Sequence, residues 1–196
     1  MAQLLGRVYW HLYNAIAPSE QENKLPDELM EEYKMISGFD ESEIYRLRQQ
    51  YYIYSHDQEL LSSDSFLAVE WVEVNPLKDR LRSIFGFDDN DKIDFRKFLE
   101  TVSAFNCEAF GRREMKIKIA FRMQDMDGDG VITKPDLVSY LERTTAMELP
   151  TEEISTVADN VLRECSSDPK ADKITYSDFQ RVIGSTDFHT KLHLPI

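Results

Sequence analysis

Apolar residues return along this chain at two rhythms, and the change between them marks the elements. From Leu25 onward they recur at three- and four-residue steps, the spacing of one buried helical face. Between these stretches lie short polar segments that each hold one isolated aliphatic residue: Leu61, Ile93, Ile132 and Ile174. Five residues after each comes the first apolar residue of the next helix: Phe66, Phe98, Leu137 and Phe179. Helical spacing then resumes through Val69, through Val102 and Phe105, through Tyr140 and Leu141, and through Val182 and Ile183. The same internal step found in four places is a repeat. It predicts four helix–loop–helix units whose aliphatic residues pair, two and two, in short β-bridges.

The third loop carries the chemistry. Asp125 to Asp136 reads Asp-Met-Asp-Gly-Asp-Gly-Val-Ile-Thr-Lys-Pro-Asp. Carboxylates stand at positions 1, 3, 5 and 12 of a twelve-residue loop, with Gly130 at position 6, where such a loop turns sharply. This is the spacing of an EF-hand calcium loop. The competing reading is a solvated acidic turn. Against it stand the helical faces on either side, Ile117, Ala120 and Phe121 before the loop and Leu137, Tyr140 and Leu141 after it. The expected metal ligands are the side chains of Asp125, Asp127, Asp129 and Asp136, the carbonyl of Val131, and a direct or water-mediated contact from Thr133. One bound ion is expected, Ca2+ or Mg2+. Position 12 is Asp136 where a calcium loop normally has Glu. The shorter side chain makes bidentate binding harder and favours the six-coordinate shell that Mg2+ prefers.

The other three loops have lost most of these groups. Tyr54 to Ser65 offers His56 and Gln58 where Asp would stand. Gly86 to Lys97 keeps Asp88 and Asn90 but places a lysine at position 12, which cannot ligate a cation. Ser167 to Asp178 has Pro169 and Ala171 at positions 3 and 5 and Asp172 in place of glycine. With one residue looped out, Asp168, Asp172 and Asp178 would still catch an ion. The default role of the degenerate units is structural.

The fold class expected is all-α, four EF-hands in two pairs, with an N-terminal helical extension. Residues 1–24 form that amphipathic extension and a polar linker, 25–105 the first pair, and 106–196 the second pair with an apolar tail. In the extension Leu4, Leu5, Val8, Tyr9, Leu12, Tyr13 and Ile16 share helical spacing. It is either an anchor that docks on a partner, a membrane surface or the protein's own groove, or an ordinary helix packed on the core. Gly111 makes 106–113 the expected hinge or lobe boundary. The tail, with Phe188, Leu192, Leu194 and Ile196, either caps the core or fills a groove until a partner displaces it. His189 and His193 lack a third zinc ligand and read as incidental.

Composition narrows the function. The 196 residues carry 23 basic and 36 acidic side chains, a formal net charge of −13. That excess argues against nucleic acid and for cations or basic peptides as partners. Cys107 and Cys165 have no metal-ligand spacing and fit a reducing compartment as small apolar fillers. No apolar run approaches the roughly 20 residues of a membrane span. Ala2 follows the initiator Met, so N-myristoylation is not expected. A cytoplasmic protein, at a membrane only through a partner or its N-terminal helix, is the expectation.

Several stretches together resemble the calcineurin B superfamily, and within it the calcium- and integrin-binding proteins. They are Asn-Pro-Leu-Lys-Asp-Arg (75–80), Ile-Asp-Phe-Arg-Lys-Phe (93–98), Ala-Phe-Arg-Met-Gln-Asp-Met-Asp (120–127), Leu-Met-Glu-Glu-Tyr (29–33) and the ending 187–196. Asp136 is a further point of similarity, since that branch has Asp there and is associated with Mg2+ as well as Ca2+. Family members commonly bind metal in both C-terminal loops, whereas here only the third loop is intact. The resemblance implies a non-enzymatic adaptor that takes an amphipathic helix of a receptor tail, kinase or channel in a hydrophobic groove. Phe98, Val102, Phe105, Phe121, Met123, Tyr140, Leu141, Phe179, Val182 and Ile183 are the candidate lining, some of them core. The alternative is a constitutive regulatory subunit of a calcineurin-like phosphatase or another enzyme; a plain calcium buffer is a third. No catalytic constellation is present in the sequence.

Overall fold

A computed structural model describes residues 24–56, 58–105, 113–145, 148–168 and 172–185. The N-terminal extension before Lys24, the expected hinge at Gly111, Cys107, the zinc-spaced histidines and the tail from residue 186 lie outside them. The described chain is mostly helical and fits an EF-hand fold. No helix among the described residues is long and apolar enough to cross a membrane.

The helices begin and end where local chemistry dictates. Helix α1 (Asp27–Ser37) stops at Gly38, whose left-handed φ of 68° lets its N–H reach the Lys34 carbonyl at 2.8 Å. Helix α2 (Glu41–Tyr54) opens on a capping box in which Asp40 accepts from the Glu43 N–H and Glu43 accepts from the Asp40 N–H. It buries Ile44, Leu47 and Tyr51, one helical face. Strand β1 (Leu61–Ser62), the short helices α3 (Ser63–Leu67) and α4 (Glu70–Glu73), helix α5 (Lys78–Phe85), strand β2 (Lys92–Ile93) and helix α6 (Phe95–Ser103) complete the first half. The second half runs α7 (Arg113–Gln124), β3 (Val131–Thr133), α8 (Lys134–Thr144), α9 (Thr151–Cys165), β4 (Lys173–Thr175) and α10 (Tyr176–Ser185).

Two antiparallel ladders join the loops, β1 with β2 and β3 with β4. Their register sets Leu61 opposite Ile93 and Ile132 opposite Ile174. These are the four aliphatic residues singled out by the repeat, and all four are buried.

Two apolar clusters fill the interior. The first gathers Tyr51, Phe66, Phe85, Phe95 and Phe98, with Phe66 and Phe85 at a ring separation of 4.5 Å and Tyr51 set edge-on to Phe98 at 5.5 Å. The second gathers Phe121, Ile132, Leu137, Ile174 and Phe179. Helix α7 serves both. Its Ile119 and Met123 enter the first cluster, while Ile117, Ala120 and Phe121 enter the second. A helix apolar on opposite sides belongs between two packed bodies rather than at a surface. Tyr140 of α8 also enters the first cluster, so that core draws on helices from beyond residue 113.

This packing divides the candidate lining, which the sequence left as a mixture of groove and core. Phe98, Val102, Phe105, Phe121, Met123, Tyr140 and Phe179 are buried core residues, and only Leu141, Val182 and Ile183 of the set are half-buried. Helical spacing marks an apolar face without telling whether the fold's own helices or a partner cover it.

Candidate metal centre

The loop between α7 and α8 is shaped by its own carboxylates. Asp125 begins it, with its N–H still bonded to the Phe121 carbonyl at 3.0 Å. Its two oxygens accept from the N–H groups of Gly128 (2.8 Å) and Gly130 (3.1 Å), which folds the loop back around them. Gly130 has a φ of 91°, a conformation that a side chain would strain, and it stands where the sequence requires the sharp turn. Asp127 accepts from the Asp129 N–H at 3.1 Å, and Asp129 from the Val131 N–H at 2.9 Å.

Asp136 closes the ring from the first turn of α8. Its Oδ1 accepts from Met126 (3.0 Å) and Asp127 (3.3 Å), and its Oδ2 from the Thr133 N–H (2.8 Å) and the Thr133 hydroxyl. A carboxylate has about four lone-pair sites. All four are engaged, so an ion taking Asp136 must displace one of these donors.

Oxygens of Asp125, Asp127 and Asp136 lie within 4.8 Å of one another. Asp125 and Asp136 are nearly enclosed, 4% and 3% exposed. The donor set is all oxygen and strongly anionic, which fits Ca2+ or Mg2+ and not a metal that needs nitrogen or sulfur. Of the six residues expected from sequence, the structure brings these three together. Asp129 stands outside the group, Val131 lies in the β3–β4 ladder opposite Thr175, and the Thr133 hydroxyl is turned onto Asp136.

One neighbour went unread in the sequence. Arg80 of α5 is 9% exposed and lays its guanidinium against the loop. Nε and Nη2 donate to the Arg122 carbonyl at 3.1 and 2.7 Å, and Nη1 to the Met126 carbonyl at 3.3 Å. A Cβ built on Gly128 would sit 3.7 Å from Nη1. Burial lowers the Arg80 pKa, while the charges of Asp125, Asp136 and Asp127 push it back up. The signal was present in the sequence: Arg80 shares the buried face of α5 with Leu77, Leu81 and Ile84, where a cation needs a reason.

The remaining loops keep the turn without the ligands. Asp91 and Asp172 hold position 6 at φ values of 58° and 43°, copying the Gly130 turn. In the second loop Asp88 accepts from the N–H groups of Asn90 (2.9 Å) and Lys92 (2.8 Å). At position 12 the Lys97 Cε comes within 3.5 Å of where a Cβ on Gly86 would be, and its Nζ donates to Glu100 at 3.5 Å. In the fourth loop Asp178 accepts from Ser167 N–H (3.1 Å), Thr175 N–H (3.1 Å) and the Thr175 hydroxyl (2.7 Å). Hydrogen bonds from Ser167 and Thr175 pull its pKa down to about 2. Asp168, Asp172 and Asp178 do not form a metal-holding group among the described residues.

No family model matches the chain. The calcineurin B protein of Naegleria gruberi is 28% identical to it over 171 residues, which cover 87% of this chain and 95% of that protein. The likeness runs over most of both chains and supports the calcineurin B-like side of the resemblance. It does not single out the calcium- and integrin-binding branch.

Proposed function

We propose that this chain is a non-enzymatic regulatory protein of four EF-hands in two pairs, with one Ca2+ or Mg2+ site in the third loop. The observation that carries the reading is the meeting of Asp125, Asp127 and Asp136 oxygens within 4.8 Å on a loop with EF-hand spacing. In this reading Asp129, the Val131 carbonyl and Thr133 complete the shell once the ion draws the loop in. The metal-bound protein holds an amphipathic helix of a partner, the mode for which paired EF-hands are shaped. Leu141, Val182 and Ile183 on α8 and α10 are the residues of the expected lining that are half-buried. The setting is cytoplasmic, with membrane contact only through the partner or the N-terminal extension.

A second reading has its own support. The second loop ends in Lys97, which cannot ligate a cation, and the fourth has Pro169 and Ala171 where ligand carboxylates would stand. Such loops suit a constitutive regulatory subunit that stays bound at every calcium level, as the likeness to a calcineurin B protein also suggests. Purification of the tagged full chain with and without chelator separates the two. A helix partner released by chelation supports the adaptor; a stoichiometric enzyme retained through it supports the second reading.

A further inference from the structure

Arg80 is a buried cation whose hydrogen-bond partners among the described residues are main-chain carbonyls rather than a carboxylate. Those carbonyls belong to the last turn of α7 and to the loop that follows, and a Cβ built on Gly128 would come within 3.7 Å of the same guanidinium. The cation therefore holds the loop at Met126, beside Asp127, and lies close to Gly128. Asp125, Asp127 and Asp136 crowd their negative charge into the adjoining space. Buried charge of one sign requires compensation of the other. Arg122 completes the arrangement from the opposite direction, its Nη2 donating to the Ser83 carbonyl of α5 at 2.6 Å.

We propose that Arg80 is a resident counter-cation of the third loop: it holds the metal-free loop folded and, by the same charge, weakens the binding of a divalent ion. The inference rests on the metal-site reading above and adds a residue from the first half of the chain to it. A guanidinium cannot ligate a cation, so its influence is through the field and through the carbonyls it fixes. Linkage makes the effect reciprocal. An ion in the loop loosens the Arg80 clasp as much as the clasp opposes the ion, and metal occupancy is thereby felt in α5, more than 40 residues away in sequence.

The test is calorimetric titration of the full chain with Mg2+ and with Ca2+, alongside thermal melts of the metal-free protein. Arg80→Met is expected to lower the metal-free melting temperature and to tighten binding on the order of tenfold. Arg80→Lys, which keeps the charge and loses the planar fork, is expected to stay within about threefold of the parent. A purely structural arginine would give weaker binding in both variants, and that result overturns the proposal. So does an Arg80→Met affinity equal to the parent's, with the metal-site reading left standing. If neither the parent nor Arg80→Met binds either ion, both readings fall together. Should Arg80→Met not fold, Arg80→Gln replaces it, since it is neutral and still donates to the Arg122 carbonyl.

Discussion

The hydroxyl of Tyr51 donates to the main-chain carbonyl of Ile93 at 2.7 Å, across 42 residues of chain. The same oxygen accepts from the Leu61 N–H at 2.9 Å. Leu61 and Ile93 face each other in the first ladder, so one buried phenol ties together the two loops that lack a metal site. The third loop is organised around carboxylates that gather charge; the first pair is organised around a neutral group that needs no ion.

Tyr51→Phe keeps the ring and removes the clamp. The change removes two hydrogen bonds to the main chain of the ladder, at a net cost of about 0.5–1.5 kcal/mol each. Urea unfolding is expected to show that loss, with metal affinity of the third loop unchanged.

The Tyr51 hydroxyl also sets an alkaline limit. Burial pushes its pKa up from 10.0 to about 12, so the native state keeps a proton that the unfolded chain releases. The contribution is complete below pH 10 and is lost as pH rises toward 12. Stability measured across that window is expected to fall less steeply in Tyr51→Phe than in the parent.

Asp178 sets an acid limit of the opposite sign. Its pKa is lowered from 3.8 to about 2, so its hydrogen bonds stabilise the fold above pH 3.8 and are lost as pH falls through 2. Asp178→Asn is expected to lower the melting temperature at neutral pH and to flatten the acid limb of the stability curve.

Asp125→Ala is expected to abolish calorimetric metal binding. It also frees the N–H groups of Gly128 and Gly130, so the metal-free protein loses about 1–3 kcal/mol as well. The fold survives, because neither apolar cluster includes Asp125.

Asp136→Glu restores the methylene that a calcium loop normally has at position 12. The longer carboxylate reaches the ion in bidentate fashion, and preference for Ca2+ over Mg2+ is expected to rise on the order of tenfold in paired titrations.

The loops were legible because their geometry is local. A twelve-residue loop with a β-bridge at position 8 fixes the step from Ile132 to Leu137, and the same step located Leu61, Ile93 and Ile174. Asp125, Asp127 and Asp136 were readable for the same reason. What stayed hidden depends on parts of the chain that meet only after folding. Arg80 finds the loop at Met126 across 46 residues, and Tyr51 finds Ile93 across 42. The division between groove and core also failed to show, since Met123 and Tyr140 look equally apolar whichever cluster receives them. Cys165 is half-buried against the second cluster, and burial raises its pKa.

The site itself is tested most directly by anomalous diffraction from crystals of the full chain grown in millimolar manganese, a hard divalent ion that reads out like magnesium. One peak enclosed by Asp125, Asp127 and Asp136, and none in the loops of Asp88 or Asp178, is the expected result. A third loop without a peak, or a peak in one of the other loops instead, would contradict it.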